Sequence, residues 1–353
     1  MYPPGTPSRV LIVKRDKIGD LLLTTSLLSH IRTVAPHLEL HLLANDYNAW
    51  VAKNHPAVHR LWVYPRVRHG GRMRIFAALA HLPLMQSLRH QRFDVAIAMN
   101  GEPSPRATSR ALAVRARRSI AFVAPQPTPP RRLADALPPP AGGHELDRMA
   151  LLLRPLSIMP PSRWPEARFC VDDDARARVR HWLASQRVAP RQYAVIGVGA
   201  RWREKQPSAE QVVRWSHLLH AELGLDTVFV WTPGKRDDPL YPGDDEIAQA
   251  VLARAAAHVH PFRGSIQDVA ALVHDARTTL VPDSGVMHLA AATPGGVVGL
   301  FAKAGGHDDV ERWHPIGARA RWIFAPTTVA ALPDDIVWRE VAMLAGAPAA
   351  HHA

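Results

Sequence analysis

Along the chain, short apolar runs alternate with longer stretches whose apolar positions recur at helical spacing. RVLIVKR (Arg9–Arg15) reads as a buried strand with basic flanks, DKIGD (Asp16–Asp20) as the loop after it, and LLLTTSLLSHIR (Leu21–Arg32) as a helix with an apolar face. Further strands are expected at Glu39–Ala44, Val58–Tyr64, Phe93–Met99 and Ser119–Val123, and an apolar helix at Ile75–Leu88. Residues 124–143 are rich in proline and read as a surface loop, followed by a helix from His144 to about Pro155. The alternation then restarts. Tyr193–Val198, Thr227–Thr232, Thr279–Val281 and Val297–Phe301 read as strands. Asp172–Ser185, Ser208–Leu223, Glu246–Ala257, Ile266–Asp275 and Asp334–Ala345 read as helices. The pattern predicts an α/β chain with two doubly wound parallel sheets, divided into residues 1–171 and 172–353.

Three loops carry candidate chemistry, because open α/β sheets gather ligands at the carboxyl ends of their strands. TLVPDSGVMHLAAATPGGVVGLF (Thr279–Phe301) reads as strand, tight loop, helix, strand. Its loop offers Asp283, Ser284 and Gly285 at a helix start, where free backbone N–H groups and partial positive charge suit a phosphate. Ser284 can cap the helix or donate its hydroxyl, Gly285 allows close approach, and His288 falls on the first turn. The same stretch also reads as an ordinary strand–helix turn with a capping residue. Asp20, beside Gly19 at the end of the first strand–helix loop, reads as a general base or as a helix-capping acid. Lys205, in the loop GARWREKQ with Arg201 and Arg203, reads as an ammonium placed against a diphosphate or as part of a solvated basic loop.

Charge narrows the partners. The 353 residues carry a formal charge of +12, from 43 Lys and Arg against 31 Asp and Glu. An arginine excess favours phosphate-bearing partners: nucleic acid, an anionic membrane face or a phosphorylated saccharide. Arg66, Arg68, Arg72 and Arg74 precede the apolar Ile75–Leu88 stretch, and Arg89 and Arg92 follow it. Such a segment reads as contact with an anionic surface or as a solvated face. The single cysteine, Cys170, excludes a disulfide framework and fits a reducing compartment. His55 and His59 are four apart, but Pro56 between them argues against a metal-binding helix face, and no metal is expected. There is no P-loop and no Gly-x-Ser-x-Gly elbow. Gly197 and Gly199 lack the third glycine of a dinucleotide fingerprint. Without an apolar run of membrane length or an apolar leader in residues 1–8, a cytoplasmic protein is expected.

Four segments in order, VLIVKRDKIGDLLLTTSLL, GARWREK, FRGSIQDVAALV and LVPDSGVMHLAAATPGGVVGLF, carry a resemblance. Together they resemble the family 9 glycosyltransferases, the ADP-heptose:lipopolysaccharide heptosyltransferases, from about Arg9 to Gly317. The resemblance implies a GT-B fold, two Rossmann-like domains facing a cleft, with the acceptor mainly on the first and the nucleotide-sugar donor mainly on the second. It implies an inverting, metal-independent transfer with no cofactor. Asp20 matches the family's catalytic aspartate, and Gly19 beside it is expected to bind substrate. Lys205 matches a lysine that contacts donor phosphates, and Asp283, Ser284, Gly285 and His288 match the donor-binding stretch. Lys205-Gln206-Pro207 departs from the family's Lys-x-Trp-Pro, being one residue short and without the Trp. Of the acidic residues after the Thr232 strand, Asp237, Asp238 and Glu246, the choice for a donor contact is Glu246. The expected partners are ADP-heptose and a lipid-linked saccharide at the cytoplasmic face of the inner membrane. The expected acceptor contacts are Arg66, Arg68, Arg72, Arg74 and Arg106. The alternatives are a GT-B enzyme using another nucleotide-sugar, and a non-catalytic basic protein for nucleic acid, for which no recognised motif is present.

Overall fold

A computed structural model describes residues 8–66, 68–69, 72–73, 75–124, 133–238, 242–303 and 310–346. The chain divides into two compact units, Met1–Cys170 and Val171–Ala353. The first runs β1 (Arg9–Val13), α1 (Ile18–Val34), β2 (Glu39–Asn45), β3 (Arg60–Tyr64), β4 (Arg68–His69), β5 (Arg72–Met73), α2 (Ile75–His90), β6 (Val95–Ala98), α3 (Pro105–Ala113), β7 (Arg118–Phe122), β8 (Asp135–Leu137) and α4 (Glu145–Ala150). Six strands form a sheet in the order β3-β2-β1-β6-β7-β8, every pairing parallel. β4 and β5 form a separate antiparallel pair. The chain steps outward from β1 to β3, then returns to the other side of β1. The order therefore reverses between β1 and β6, and there the loops splay apart to leave a crevice at the strands' carboxyl ends.

The second unit runs α5 (Asp173–Ser185), β9 (Tyr193–Gly197), α6 (Ala209–Leu223), β10 (Asp226–Val230), α7 (Asp245–Leu252), β11 (Val259–Phe262), α8 (Ile266–Asp275), β12 (Thr278–Pro282), α9 (Gly285–Ala291), β13 (Val297–Ala302), α10 (Val310–Trp313), β14 (Ala320–Ala325) and α11 (Asp334–Gly346). Its sheet, β11-β10-β9-β12-β13-β14, repeats the same parallel topology, with the reversal between β9 and β12. Helices cover the sheets, so the central strands are buried along their whole length, as in β9, β12 and β13. Helix ends follow local chemistry. Ser208 and Gln211 form a capping box at the start of α6, and Gly224 ends that helix at φ 62°, a left-handed turn that favours glycine.

Five strands depart from the sequence reading: β8 lies in the proline-rich stretch read as a loop, and β4, β5, β11 and β14 were not expected. β4 and β5 form their own short pair, and β8, β11 and β14 are edges of the two large sheets. An edge strand needs no continuous apolar run, and β11 tolerates Pro261 while β14 exposes Trp322. The helix expected to run to Pro155 stops at Ala150 and continues as a tighter turn over Leu151–Leu156.

The second unit's core packs α6 and α11 on one face of its sheet around Trp215, Phe229, Leu280 and Val337. Trp215 is 1% exposed, and its indole Nε1 donates to Asp334 Oδ1 at 2.8 Å. Trp215→Ala removes both the packing and that bond. The expected loss is about 3–5 kcal/mol in urea unfolding; a loss below about 1 kcal/mol would place the helix packing elsewhere.

Candidate functional site

In the first unit, β1 ends at Val13 and the next residue is Lys14, fully buried at 0% exposure. Its Nζ lies 3.3 Å from Asp16 Oδ2, 4.0 Å from Glu145 Oε1 and 3.5 Å from Met149 Sδ. The loop around it is tied from several sides. Asn45 Nδ2 donates to Arg15 O at 2.7 Å, and Asn48 Nδ2 to Asp16 O at 2.9 Å. Asn100, in the loop after β6, donates to the Asp16 carboxylate. Gly101 N–H donates to Glu145 Oε1 at 2.9 Å, and a Cβ on Gly101 would sit 2.3 Å from Glu145 Oε2, so a larger residue there would displace the Glu145 carboxylate. The two strands that flank the reversal are thus joined through one buried ammonium and its carboxylates.

Asp20 stands on the first turn of α1, half-buried. The helix begins without a side-chain cap at Lys17, and no described residue donates a hydrogen bond to the Asp20 carboxylate. Capping therefore does not occupy it. Burial pushes Asp20 up to about 6; Lys14 pulls it down, and Asp16 and Glu145 push it further up. Burial likewise opposes the charge on Lys14, but Asp16, Asp20 and Glu145 together outweigh it and raise that ammonium above its usual value. A carboxylate titrating near 6 is mostly ionised at neutral pH and is suited to accept a proton.

In the second unit, a single helical turn, Arg203–Lys205, places Lys205 in the loop after β9. Lys205 is buried, and its Nζ donates to Asp283 Oδ2 at 2.7 Å. Asp283 follows β12, and its N–H donates to Leu300 O at 2.9 Å, which ties it to β13. Ser284 and Gly285 open α9; Ser284 sits at the cap position but makes no side-chain cap, so its hydroxyl is not spent on the helix. His288, on the first turn, is buried, and its Nδ1 has no hydrogen-bond partner among the described residues. Burial holds it down to about 4 against the pull of Asp283, so the ring is neutral. The residues selected from sequence at Lys205, Asp283, Ser284, Gly285 and His288 come together at this sheet's reversal.

Beside them lies a pocket of about 320 Å³, lined by Arg203, Gln206, Arg236, Asp244, Glu246 and Ile247 among others. Glu246 is exposed and paired with Arg203 at 3.0 Å. Asp237 and Asp238 are exposed. The buried acid of this loop is Asp244, which the sequence reading missed. It accepts from Gln206 Nε2 at 2.6 Å, Thr232 N–H at 3.2 Å and Arg236 Nη1 at 3.3 Å. Burial raises its pKa, and the Gln206 and Thr232 hydrogen bonds oppose that rise. Its signal in the sequence is three successive acids, Asp244, Asp245 and Glu246, at one helix start, which hides the buried member among exposed ones.

Of the arginines selected from sequence, Arg66 is engaged: its Nε meets Asp46 Oδ1 at 3.0 Å, and its guanidinium lies 4.7 Å over the Tyr47 ring. Arg106 is exposed on the first turn of α3. Arg68 and Arg72 fall in β4 and β5, and Arg74 lies outside the described residues. Among the described residues, no group of three His, Cys, Asp or Glu could hold a metal ion, and no helix is long and apolar enough to cross a membrane.

A family model described as glycosyltransferase family 9 (heptosyltransferase) matches residues 81–332. No curated protein gives a significant sequence match. Among solved structures, a glycosyl transferase family 9 protein from Veillonella parvula superposes with a TM-score of 0.77 at 18% identity, covering 96% of this chain and 97% of its own. E. coli heptosyltransferase WaaC with ADP gives 0.72 at 18% identity over 95% and 99%. E. coli ADP-heptose LPS heptosyltransferase II gives 0.70 at 16% identity over 96% and 98%. At these identities the structural likeness establishes the fold, an α/β chain of the kind expected from the sequence.

A titration of the Asp20 carboxyl followed by 13C NMR should show a midpoint at about 6, and the midpoint should rise in Lys14→Gln, where the opposing ammonium is gone. The folded value lies above the unfolded one of about 3.9, so the contribution of Asp20 to stability is present below about pH 4 and lost as pH rises through about 6. Asp20→Asn should therefore be more stable than the wild type above neutral pH and equal to it in acid. A midpoint near 4, or a stability difference that does not change with pH, would contradict this electrostatic account.

Proposed function

The chain belongs to glycosyltransferase family 9, and from that premise we propose that it moves a heptose from ADP-heptose to the inner core of a lipopolysaccharide, with inversion at the anomeric carbon. As a glycosyltransferase it is an enzyme, which sets aside the reading as a basic nucleic-acid-binding module. The ADP in the WaaC structure supports ADP as the nucleotide of the donor. In this reading residues 1–171 take the acceptor and residues 172–353 the donor.

The observation that carries the mechanism is Asp20: half-buried, without a hydrogen-bond donor among the described residues, and ionised at working pH. An acceptor hydroxyl attacks the anomeric carbon, and its proton passes to Asp20. The bond from that carbon to the diphosphate oxygen breaks, and ADP leaves with the electron pair. Charge grows on the diphosphate during this step, and the Lys205 ammonium, oriented by Asp283, offsets it. The Ser284 hydroxyl and the Gly285 backbone stand beside that ammonium as further donors. His288 stays neutral and adds no charge that would hold the product back. The pocket at Asp244 and Glu246 is the place for the nucleoside, where carboxylates accept ribose hydroxyls. The lipid-linked acceptor would bring this basic protein to the cytoplasmic face of the inner membrane, with Arg66, Arg68, Arg72, Arg74 and Arg106 as the proposed contacts, Arg66 being held in place through its Nε by Asp46.

Calorimetry with ADP-, UDP- and GDP-linked sugars side by side tests the donor, and tight binding of the ADP-linked member alone is expected. Asp20→Asn should cut turnover by about 10²- to 10⁴-fold while leaving ADP affinity unchanged. Lys205→Ala should weaken ADP by about tenfold or more. Full turnover in Asp20→Asn would remove the base from the mechanism, and a preference for a UDP- or GDP-sugar would move the enzyme to another donor.

A further inference from the structure

We infer that Arg15 and Arg110, with Arg106 at the rim, form an oxyanion-binding site on the first unit that receives a phosphate or carboxylate of the acceptor. Arg15 leaves β1 directly after Lys14, and side chains alternate along an extended segment. Lys14 therefore turns towards α4, where it meets Glu145 and Met149, while Arg15 shares the face of Val13, which packs in one cluster with Tyr64 and with Ala107 and Ala111 of α3. The Arg15 Nε is buried and has no hydrogen-bond partner among the described residues. Arg110 is half-buried, its guanidinium 4.3 Å over the Tyr64 ring at the end of β3. Burial lowers its pKa; Tyr64 opposes that, while Arg15 and Arg106 lower it further, and no carboxylate acts on it.

This arrangement differs from the other arginines around the same sheet. Arg9 pairs with Glu39 at 3.1 Å, Arg118 with Asp135, and Arg66 with Asp46 at 3.0 Å. Arg15 and Arg110 have no such carboxylate among the described residues. Like charges drawn together at a partly buried place oppose folding. A guanidinium presents five N–H donors in a planar fork that matches a phosphate or carboxylate. An incoming oxyanion satisfies the buried Nε and relieves the repulsion at once. The place is the carboxyl end of the first sheet, where Arg15 follows β1 and Arg110 covers Tyr64 at the end of β3, and Asp20 stands on the first turn of the helix after β1. An anionic group held there would orient an acceptor for proton transfer to that base. Calling the ligand a part of the acceptor rests on the transferase reading; the anion site itself does not.

The test uses the full chain and the arginine Nε–H signals in 15N NMR. Inorganic phosphate and, in a parallel arm, acetate are titrated in, and whichever binds shows which oxyanion chemistry the site takes. Saturable shifts of the Arg15 and Arg110 signals, with millimolar affinity, are expected in at least one arm. Arg15→Gln and Arg110→Gln should each weaken that binding about tenfold, with Arg110→Lys between wild type and Arg110→Gln. Arg66→Gln should leave it unchanged, and ADP affinity should be the same in all variants. Silence of both signals in both arms, or equal binding by the two Gln variants and the wild type, would overturn the site. Failure of the wild type to bind ADP would instead defeat the nucleotide-sugar reading while the phosphate result stood.

Discussion

An ammonium with no access to water sits at the exit of β1, and the chemistry of the first unit depends on it. Removing such a charge from solvent costs several kcal/mol, so Lys14 is tolerable only with opposite charge at contact distance. Asp16 and Glu145 supply it. Each of those carboxylates is held in turn by the loop after β6, through Asn100 and the Gly101 N–H. The requirement to neutralise one buried nitrogen thus fixes the two loops that border the crevice. It also sets the charge on Asp20, which feels Lys14 in one direction and Asp16 and Glu145 in the other. Burial is the largest cause of its raised pKa, and a carboxylate in that position is a better proton acceptor than an exposed one.

The second unit solves a related problem with the same parts. Its first strand also leads to a buried lysine, and Lys205 is again matched by a carboxylate from across the sheet's reversal, Asp283. The pair is mostly buried, where β9 and β12 flank the reversal. An incoming diphosphate meets an ammonium already held in position by its carboxylate. The first cluster joins Lys14 to acids from two elements, whereas the second is built on the direct contact of Lys205 with Asp283.

How much of this was legible depends on where the partners lie in the chain. The central strands are continuous apolar runs, and the alternation with helices gave the α/β class directly. The edge strands β8, β11 and β14 lack that run because one side of each needs no neighbour, so proline and polar residues fit. Local loop chemistry left Asp20, Lys205, Asp283, Ser284 and Gly285 each with a second, structural reading, and the ordered family resemblance selected them. Lys14 and Glu145 were singled out by neither. Each looks like a flanking charge of its own element until the fold brings α4 beside the exit of β1. Asp244 was hidden for a similar reason: burial, assigned only by Gln206 and Thr232 packing over it, separates it from the exposed Glu246 two residues on.

The adjacent basic residues Lys14 and Arg15 show how little sequence distance separates two different fates. In one dimension they are a single basic pair. The alternation of an extended chain turns them to opposite faces of the same sheet. On one face α4 brings acids, and the charge is neutralised in the interior. On the other, α3 brings Arg106 and Arg110, and the charge is reinforced. The same alternation that lets a parallel sheet bury both of its faces therefore sorts charge at its carboxyl edge, with proton-accepting chemistry on one side of β1 and unneutralised guanidinium on the other. A substrate that offers a hydroxyl and an oxyanion a short distance apart is complementary to both sides at once. Moving Arg15 by one position along the chain that leaves β1 would turn it to the face of the carboxylates and remove that complementarity, even with the composition unchanged.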